Sequence, residues 1–201
     1  FLEKHEEYIA HTHNSYFSNE SQSNNAMVLF SNIKSGRIEL KNICPTRSFH
    51  TATVLFRRET LNSLDVKFLS EKVKSGDKFL FTHFWLIGFI YYDDTPMAVY
   101  RRNVGGMSKS CNLHRFMDAD IEMYEYFKNK VPPAFRNEVE EAKNYFKLNR
   151  FNFLMEKPIS ARLVYYYLSL ISIAGKSKHL PYFQFKKLSR DFFKKMINYN
   201  E

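Results

Sequence analysis

The sequence predicts an α/β unit followed by an all-α unit, and three observations carry that prediction. Short β-branched and aromatic runs, bounded by turn residues and helix starts, fill the chain to about residue 110. From about Ser110 onward the pattern is helical, interrupted only at Pro132-Pro133, at Pro158 and from Gly175 to Pro181. Charge divides along the same line: residues 136–201 hold 13 Lys plus Arg against 6 Asp plus Glu, so +7 of the net +9 lies in the helical tail.

In chain order, FLEKHEEY at the start predicts the end of a helix, and Tyr8 to Phe17 a strand. Ser18 to Asn25 is polar enough for a loop. Met27 to Phe30 is a short apolar burst, Lys34 to Arg37 a turn, and Ile38 to Cys44 a brief helix. The run Thr51 to Phe56 is β-branched and apolar, ending at Arg57-Arg58 before a helix start at Glu59. Ser75-Gly76-Asp77 sets a hydroxyl and a carboxylate where the first N–H groups of a helix need acceptors, ahead of the apolar stretch Phe79 to Ile87 and its terminator Gly88. Phe89 to Tyr92 and Met97 to Tyr100 predict two strands around an Asp93-to-Pro96 turn, followed by the loop Arg101 to Lys109. Four helices follow: Leu113 to Lys130, Asn137 to Phe153, Ala161 to Ile173 and Phe185 to Asn198.

Composition removes several function classes. A chain that is 44% hydrophobic and 17% aromatic can offset the entropy of ordering, which excludes intrinsic disorder, and six Gly with six Pro in 201 residues exclude a collagen-like or linker sequence. No apolar run reaches the length of a membrane span. Cys44 and Cys111 stand alone, without the spacing of a zinc site or a disulfide framework, which fits a reducing cytoplasm. Neither a GxGxxG, a P-loop nor a serine-nucleophile elbow occurs, and no repeat of fixed period is present. The net charge of +9 points to an anionic partner: nucleic acid, a membrane surface or a phosphate-bearing substrate.

The residues that bear on chemistry each have two readings. Asp77 is a first-turn helix aspartate or a general base. The loop Arg101-Arg102-Asn103-Val104-Gly105-Gly106-Met107-Ser108 pairs guanidinium groups with glycines that let backbone N–H groups approach an anion; solvated arginines on a surface loop fit the same residues. Arg57 and Arg58 read either as part of that chemistry or as strand-end charges on a solvated edge, the latter favoured for at least one of them. His11 and His13 alternate on one strand face but lack a third ligand, so satisfied or solvent-facing histidines are the better reading. Trp85 packs in a core or stacks on a sugar. The segment KKLSRDFFKK, Lys186 to Lys195, interleaves cations with Leu188, Phe192 and Phe193, either to seat on an anionic membrane surface or to pack an apolar stripe on neighbouring helices.

Taken together, the Phe49-to-Arg58 segment, the Ser75-to-Asp77 helix start and the Gly88-to-Ser108 run resemble the C-terminal half of a family 2 glycosyltransferase domain of the GT-A fold. Members of that family carry a Ser- or Thr-rich strand ending in Phe-Arg-Arg, then Gly-Asp opening a helix, then Gly-x-Ile-x-Tyr and Val-Tyr-Arg-x-His-x-Gly-Gly-x-Ser. The resemblance covers about Phe1 to Lys130. It implies a fold class of α/β, with 1–110 as the C-terminal half of a GT-A domain and 111–201 as a basic α-helical extension. Two departures stand out: the nucleotide-binding half with its Asp-x-Asp motif would lie upstream of Phe1, and Asn103 replaces a histidine, which makes it a poorer metal ligand.

The resemblance implies inverting transfer of a hexosyl-type sugar from a nucleotide-activated donor to a saccharide or lipid-linked acceptor, in surface polysaccharide synthesis. Asp77 would be the base. Arg101, Arg102, Asn103, Gly105, Gly106 and Ser108 would face the diphosphate, with Trp85 on the acceptor side. A divalent metal, Mg or Mn, is expected for the complete enzyme and belongs to the Asp-x-Asp motif, so these 201 residues alone are expected to be inactive. The expected setting is cytoplasmic, peripheral on the inner membrane face. The rival reading is a non-catalytic basic module binding nucleic acid or an anionic membrane surface, with nucleic acid the less favoured partner.

Overall fold

The computed structural model describes residues 1–19, 27–102 and 113–198, and it is mixed α/β. The chain divides into two compact units, Phe1–Asn112 and Leu113–Glu201.

The first unit is organised by one long strand, β1 (Tyr8–Asn19). Its residues alternate: Ala10, Thr12 and Asn14 are buried, whereas Ile9, His11 and His13 are half-buried, which is the period-2 signature of a sheet with two unlike faces. Along one edge β1 pairs antiparallel with β2 (Val28–Leu29) near Tyr16 and with β4 (Val54–Phe56) near His11. On its other edge it runs parallel to β5 (Phe89–Arg102), which in turn pairs antiparallel with β3 (Gly36–Arg37). A parallel neighbour requires a long crossover. Here the crossover carries β4, α1 (Val66–Lys72) and α2 (Gly76–Ile87).

Helix α2 supplies the core of this unit. Phe79, Phe81 and Phe84 are fully buried, Phe81 packing edge-on against Phe49 and Phe84 against Phe56 of β4. Each such ring is worth about 1.5–3 kcal/mol when removed from water. The helix ends at Gly88, whose backbone is extended and needs no special φ. Close approach is what requires glycine there: a Cβ would stand 2.6 Å from Cγ2 of Ile9 on β1. Gly88→Ala is therefore expected to lower stability by about 1–3 kcal/mol through overpacking. Urea unfolding checks this, and pairing it with Ile9→Ala should recover part of the loss.

Four local expectations are corrected. Residues 1–7 form turns and not the end of a helix, because Arg57 draws their carbonyls inward: Nε donates to Tyr8 O at 3.0 Å, and Nη2 donates to the carbonyls of Leu2 and His5. Arg57 is thus a staple, and only Arg58 is an exposed strand-end charge. In the Thr51-to-Phe56 run only Val54–Phe56 is strand; Thr51–Thr53 is a 3-10 turn, held by Ala52 N–H donating to His50 Nδ1 and Thr53 Oγ1 donating to His50 O at 2.7 Å. Arg58–Ser63 is likewise 3-10, with Thr60 Oγ1 donating to Arg57 O. Finally, β5 runs through Asp93 to Pro96 without a turn. His13 pairs with Asp93 and Asn14 with Pro96, leaving Asp94 and Thr95 as a bulge. Asn14, 2% exposed, fastens that bulge by donating to Ser31 O at 2.8 Å and, more weakly, to Asp94 O.

The two faces of this sheet are unequally covered. Ala10, Thr12, Ile90 and Tyr92 are fully buried, but Leu55, which sits across from His11, is 66% exposed. Over that second face Phe1 stacks on Tyr91 and His5 on Phe1. Parallel strand pairs are normally covered on both faces.

The second unit contains α3 (Leu113–Lys128), α4 (Arg136–Met155), α5 (Ala161–Ile171) and α6 (Tyr182–Asn198). Ser160 caps α5, its hydroxyl accepting from Leu163 N–H. Phe151, Leu163, Leu170 and Leu180 are fully or nearly fully buried, and Tyr167 stacks on Phe192 with centroids 4.0 Å apart. Buried Arg150 makes a two-pronged ion pair to Asp118, with both bonds at 2.9 Å, and Tyr166 donates to the same carboxylate at 2.7 Å. Glu140 bridges Lys128 and Lys143; burial pushes its carboxyl up, yet the two ammonium groups outweigh burial and hold it below the usual range. Lys195 donates to the carbonyls of Met155 and Lys157, capping the C-terminus of α4 where the helix dipole favours a cation.

Candidate functional site

Asp77 lies in the first turn of α2 and is half-buried. Ser75, at the cap position, makes no side-chain cap bond, so the hydroxyl foreseen there does not serve. Instead the Asp77 carboxylate gathers three donors. Lys78 N–H reaches Oδ1 at 2.8 Å, while Arg47 Nη2 at 2.8 Å and Thr51 Oγ1 at 3.1 Å share Oδ2. Arg47 closes the triangle by donating from Nη1 to Thr51 Oγ1 at 2.6 Å, and its guanidinium lies 5.3 Å from the Phe81 ring centroid. Each carboxylate oxygen has two lone pairs, and Oδ1 has used one.

His50 extends the cluster. Its Nδ1 accepts from Ala52 N–H at 3.2 Å, so the proton of the neutral ring sits on Nε2. Burial pushes its pKa down, Arg47 pushes it further and Asp77 opposes both; the net shift is downward and keeps the ring neutral at pH 7. The imidazole packs on Tyr100 at 4.1 Å between centroids, and Tyr100 touches Phe17. Tyr100 is two residues from the end of β5, and Phe17 is two from the end of β1, so the cluster reaches the carboxyl ends of the parallel pair. In α/β sheets that is where ligands bind.

This coupling is measurable by NMR titration. Arg47→Gln is expected to raise the His50 pKa by removing a neighbouring cation, and Asp77→Asn to lower it by removing an anion. If neither variant moves the titration, His50 and Asp77 are not electrostatically joined.

Arg101 is exposed at the end of β5. Arg102 ends the strand, and its side chain is outside what the structure describes, as are Asn103, Gly105, Gly106 and Ser108 in their entirety. Trp85 is half-buried on α2, about 12 Å along the helix axis from Asp77 at 1.5 Å per residue, and does not join the cluster. Arg47, His50 and Thr51 were missed in the sequence. The signal that could have found them is His50-Thr51 directly before the β-branched run, where a ring and a hydroxyl precede a strand that pairs with β1.

The geometry fits a metal poorly. Among the described residues no group of three or more His, Cys, Asp or Glu is placed to hold one, and Arg47 already occupies the side of Asp77 that a cation would take. His13 Nδ1 bonds to Asn14 O, while His11 stacks on Tyr91. A separate cleft of about 370 Å³ opens in the helical unit between Asn137, Glu141, Asn144 and Ser177, but none of the predicted site residues lines it. No helix among the described residues is long and apolar enough to cross a membrane.

No protein-family model, no curated protein and no solved structure matches the chain. What the cluster can do must therefore be argued from its residues and geometry.

Proposed function

We propose that this chain is the acceptor-side part of an inverting glycosyltransferase of the GT-A type, transferring a hexosyl group from a nucleotide-activated sugar in surface polysaccharide synthesis. The observation that carries it is the continuity of the polar cluster. From Asp77 through Thr51 and Arg47 to His50 and Tyr100, it runs to the end of β5, where Arg101 is exposed. In this reading the carboxylate serves the acceptor and Arg101 the diphosphate, both within the first unit.

In this mechanism the acceptor hydroxyl displaces Thr51 from Asp77 and donates to the freed lone pair. As its oxygen attacks the anomeric carbon, the proton passes to Asp77. The bond from that carbon to the diphosphate oxygen breaks on the opposite face, and its electron pair leaves with the nucleoside diphosphate. Arg47 holds the carboxylate in place, and Arg101 offers a cation to the departing charge. The metal that the resemblance implies, Mg or Mn, would be held outside these residues, where it would offset diphosphate charge. The test is transfer by the complete reading frame carrying Asp77→Asn, with loss of turnover and unchanged donor binding as the expected result.

A binding role also has support: the cations of α6 that face outward suit an anionic surface. Nucleic acid is distinguished by salt, since phosphate contacts weaken steeply with ionic strength through counterion release.

A further inference from the structure

We infer that the outward face of α6 docks on an anionic lipid bilayer. Phe185, Leu188, Phe192 and Met196 recur at core spacing, and Phe192 is 4% exposed. Two members of the apolar stripe read from the sequence, Leu188 and Phe192, therefore face inward. On the opposite arc Phe183, Lys187, Arg190, Lys194 and Ile197 recur three or four residues apart, with Lys186 beside them, and all six are exposed. Phe183 is 70% and Ile197 63% exposed, and Phe193, with its edge on Tyr167, is 54% exposed. Lys195 is not part of this face, because its ammonium is committed to the end of α4.

Charge complementarity chooses the occupant. Four cations on one arc, with Asp191 at its margin, require an anionic partner. The hydrocarbon between them requires more than phosphate. Phe183 and Ile197 are 14 residues apart, about 21 Å along the axis, so a helix lying flat would set both into the acyl boundary while the lysines reach headgroups. A nucleic-acid backbone would reward the cations and leave the two apolar ends wet. A second copy of the same face would set like charges against one another. The inference rests on this helix and not on the chemistry at Asp77.

Flotation of the 201-residue chain with vesicles of phosphatidylcholine, with and without 30% phosphatidylglycerol, tests it. Binding is expected only to the anionic vesicles. Lys187→Gln with Lys194→Gln should weaken it about 30-fold, and Phe183→Ser with Ile197→Ser about tenfold. Asp77→Asn should leave it unchanged, which separates this inference from the transferase reading. The four substituted side chains of α6 are exposed, and an unchanged thermal transition confirms that the variants fold. Equal binding to neutral vesicles, no binding to either, or insensitivity to the Phe183/Ile197 pair would overturn the inference. So would tight duplex binding lost with the lysines alone, or a dimer that dissociates on the same substitutions.

Discussion

If the proposed transferase reading holds, replacing Asp77 by asparagine should reduce turnover by about 10²- to 10⁴-fold, the range that positioned proton transfer contributes, while the dissociation constant of the nucleotide sugar stays nearly unchanged. Asparagine keeps the shape and can still accept the Lys78 N–H, although its amide nitrogen then faces Arg47 and the ion pair is lost. What it cannot do is take a proton. Arg47→Gln separates the catalytic role from a structural one. If Asp77 only ties the Arg47 segment to α2, both substitutions will cost similar stability through the lost ion pair, and turnover will follow the folded fraction alone. If Asp77 is the base, Asp77→Asn loses kcat in fully folded protein, whereas Arg47→Gln, which leaves the carboxylate in place, loses much less. Stopped-assay kinetics together with a urea midpoint for each variant give the answer.

Asp118→Ala should be the most damaging substitution in the helical unit. It removes the partner of an arginine that is 4% exposed and strands the Tyr166 hydroxyl. Breaking a fully buried pair costs about 3–5 kcal/mol. Asp118 is 38% exposed at its side chain, so water can reach Arg150 after the change and a loss of about 2–3 kcal/mol is expected. Asp118→Asn should fall between, since it can still accept from Tyr166. The same cluster sets an alkaline limit. Burial first, and the Asp118 carboxylate second, hold the Tyr166 hydroxyl well above its ordinary value of 10.0. A raised folded pKa gives stability that is present below pH 10 and lost as pH rises beyond it. That alkaline loss should be shallower in Asp118→Ala, where the anion is gone and burial alone remains. Chemical denaturation at pH 7 and above pH 10 measures both effects.

Legibility followed the range of the interactions. The four tail helices were readable because their pattern and the Pro and Gly breaks between them are local, and α2 because Ser75 to Asp77 and Gly88 bracket an apolar run. The failures came from contacts across the chain. Nothing within FLEKHEEY says that Arg57 will seize its carbonyls from about 50 residues away, and Asp93 to Pro96 reads as a turn until β1 is beside it to absorb a bulge. Asp77 was found by its place at a helix start. Its partners were not, because Arg47 and Thr51 reach it only across the fold, by an ion pair and a hydrogen bond to α2. In the tail, periodicity found the helix, but Phe192 and Phe193 are neighbours in sequence and only packing separates the buried ring from the exposed one.

The anomeric configuration of the product tests the central claim most directly. The complete reading frame, supplied with a panel of nucleotide sugars and a saccharide acceptor, should form a glycoside whose anomeric centre is inverted relative to the donor, as proton nuclear magnetic resonance would read from the anomeric coupling. That is the outcome of a single displacement with Asp77 as base. Retained configuration, or transfer that persists undiminished in the Asp77→Asn enzyme, would contradict it.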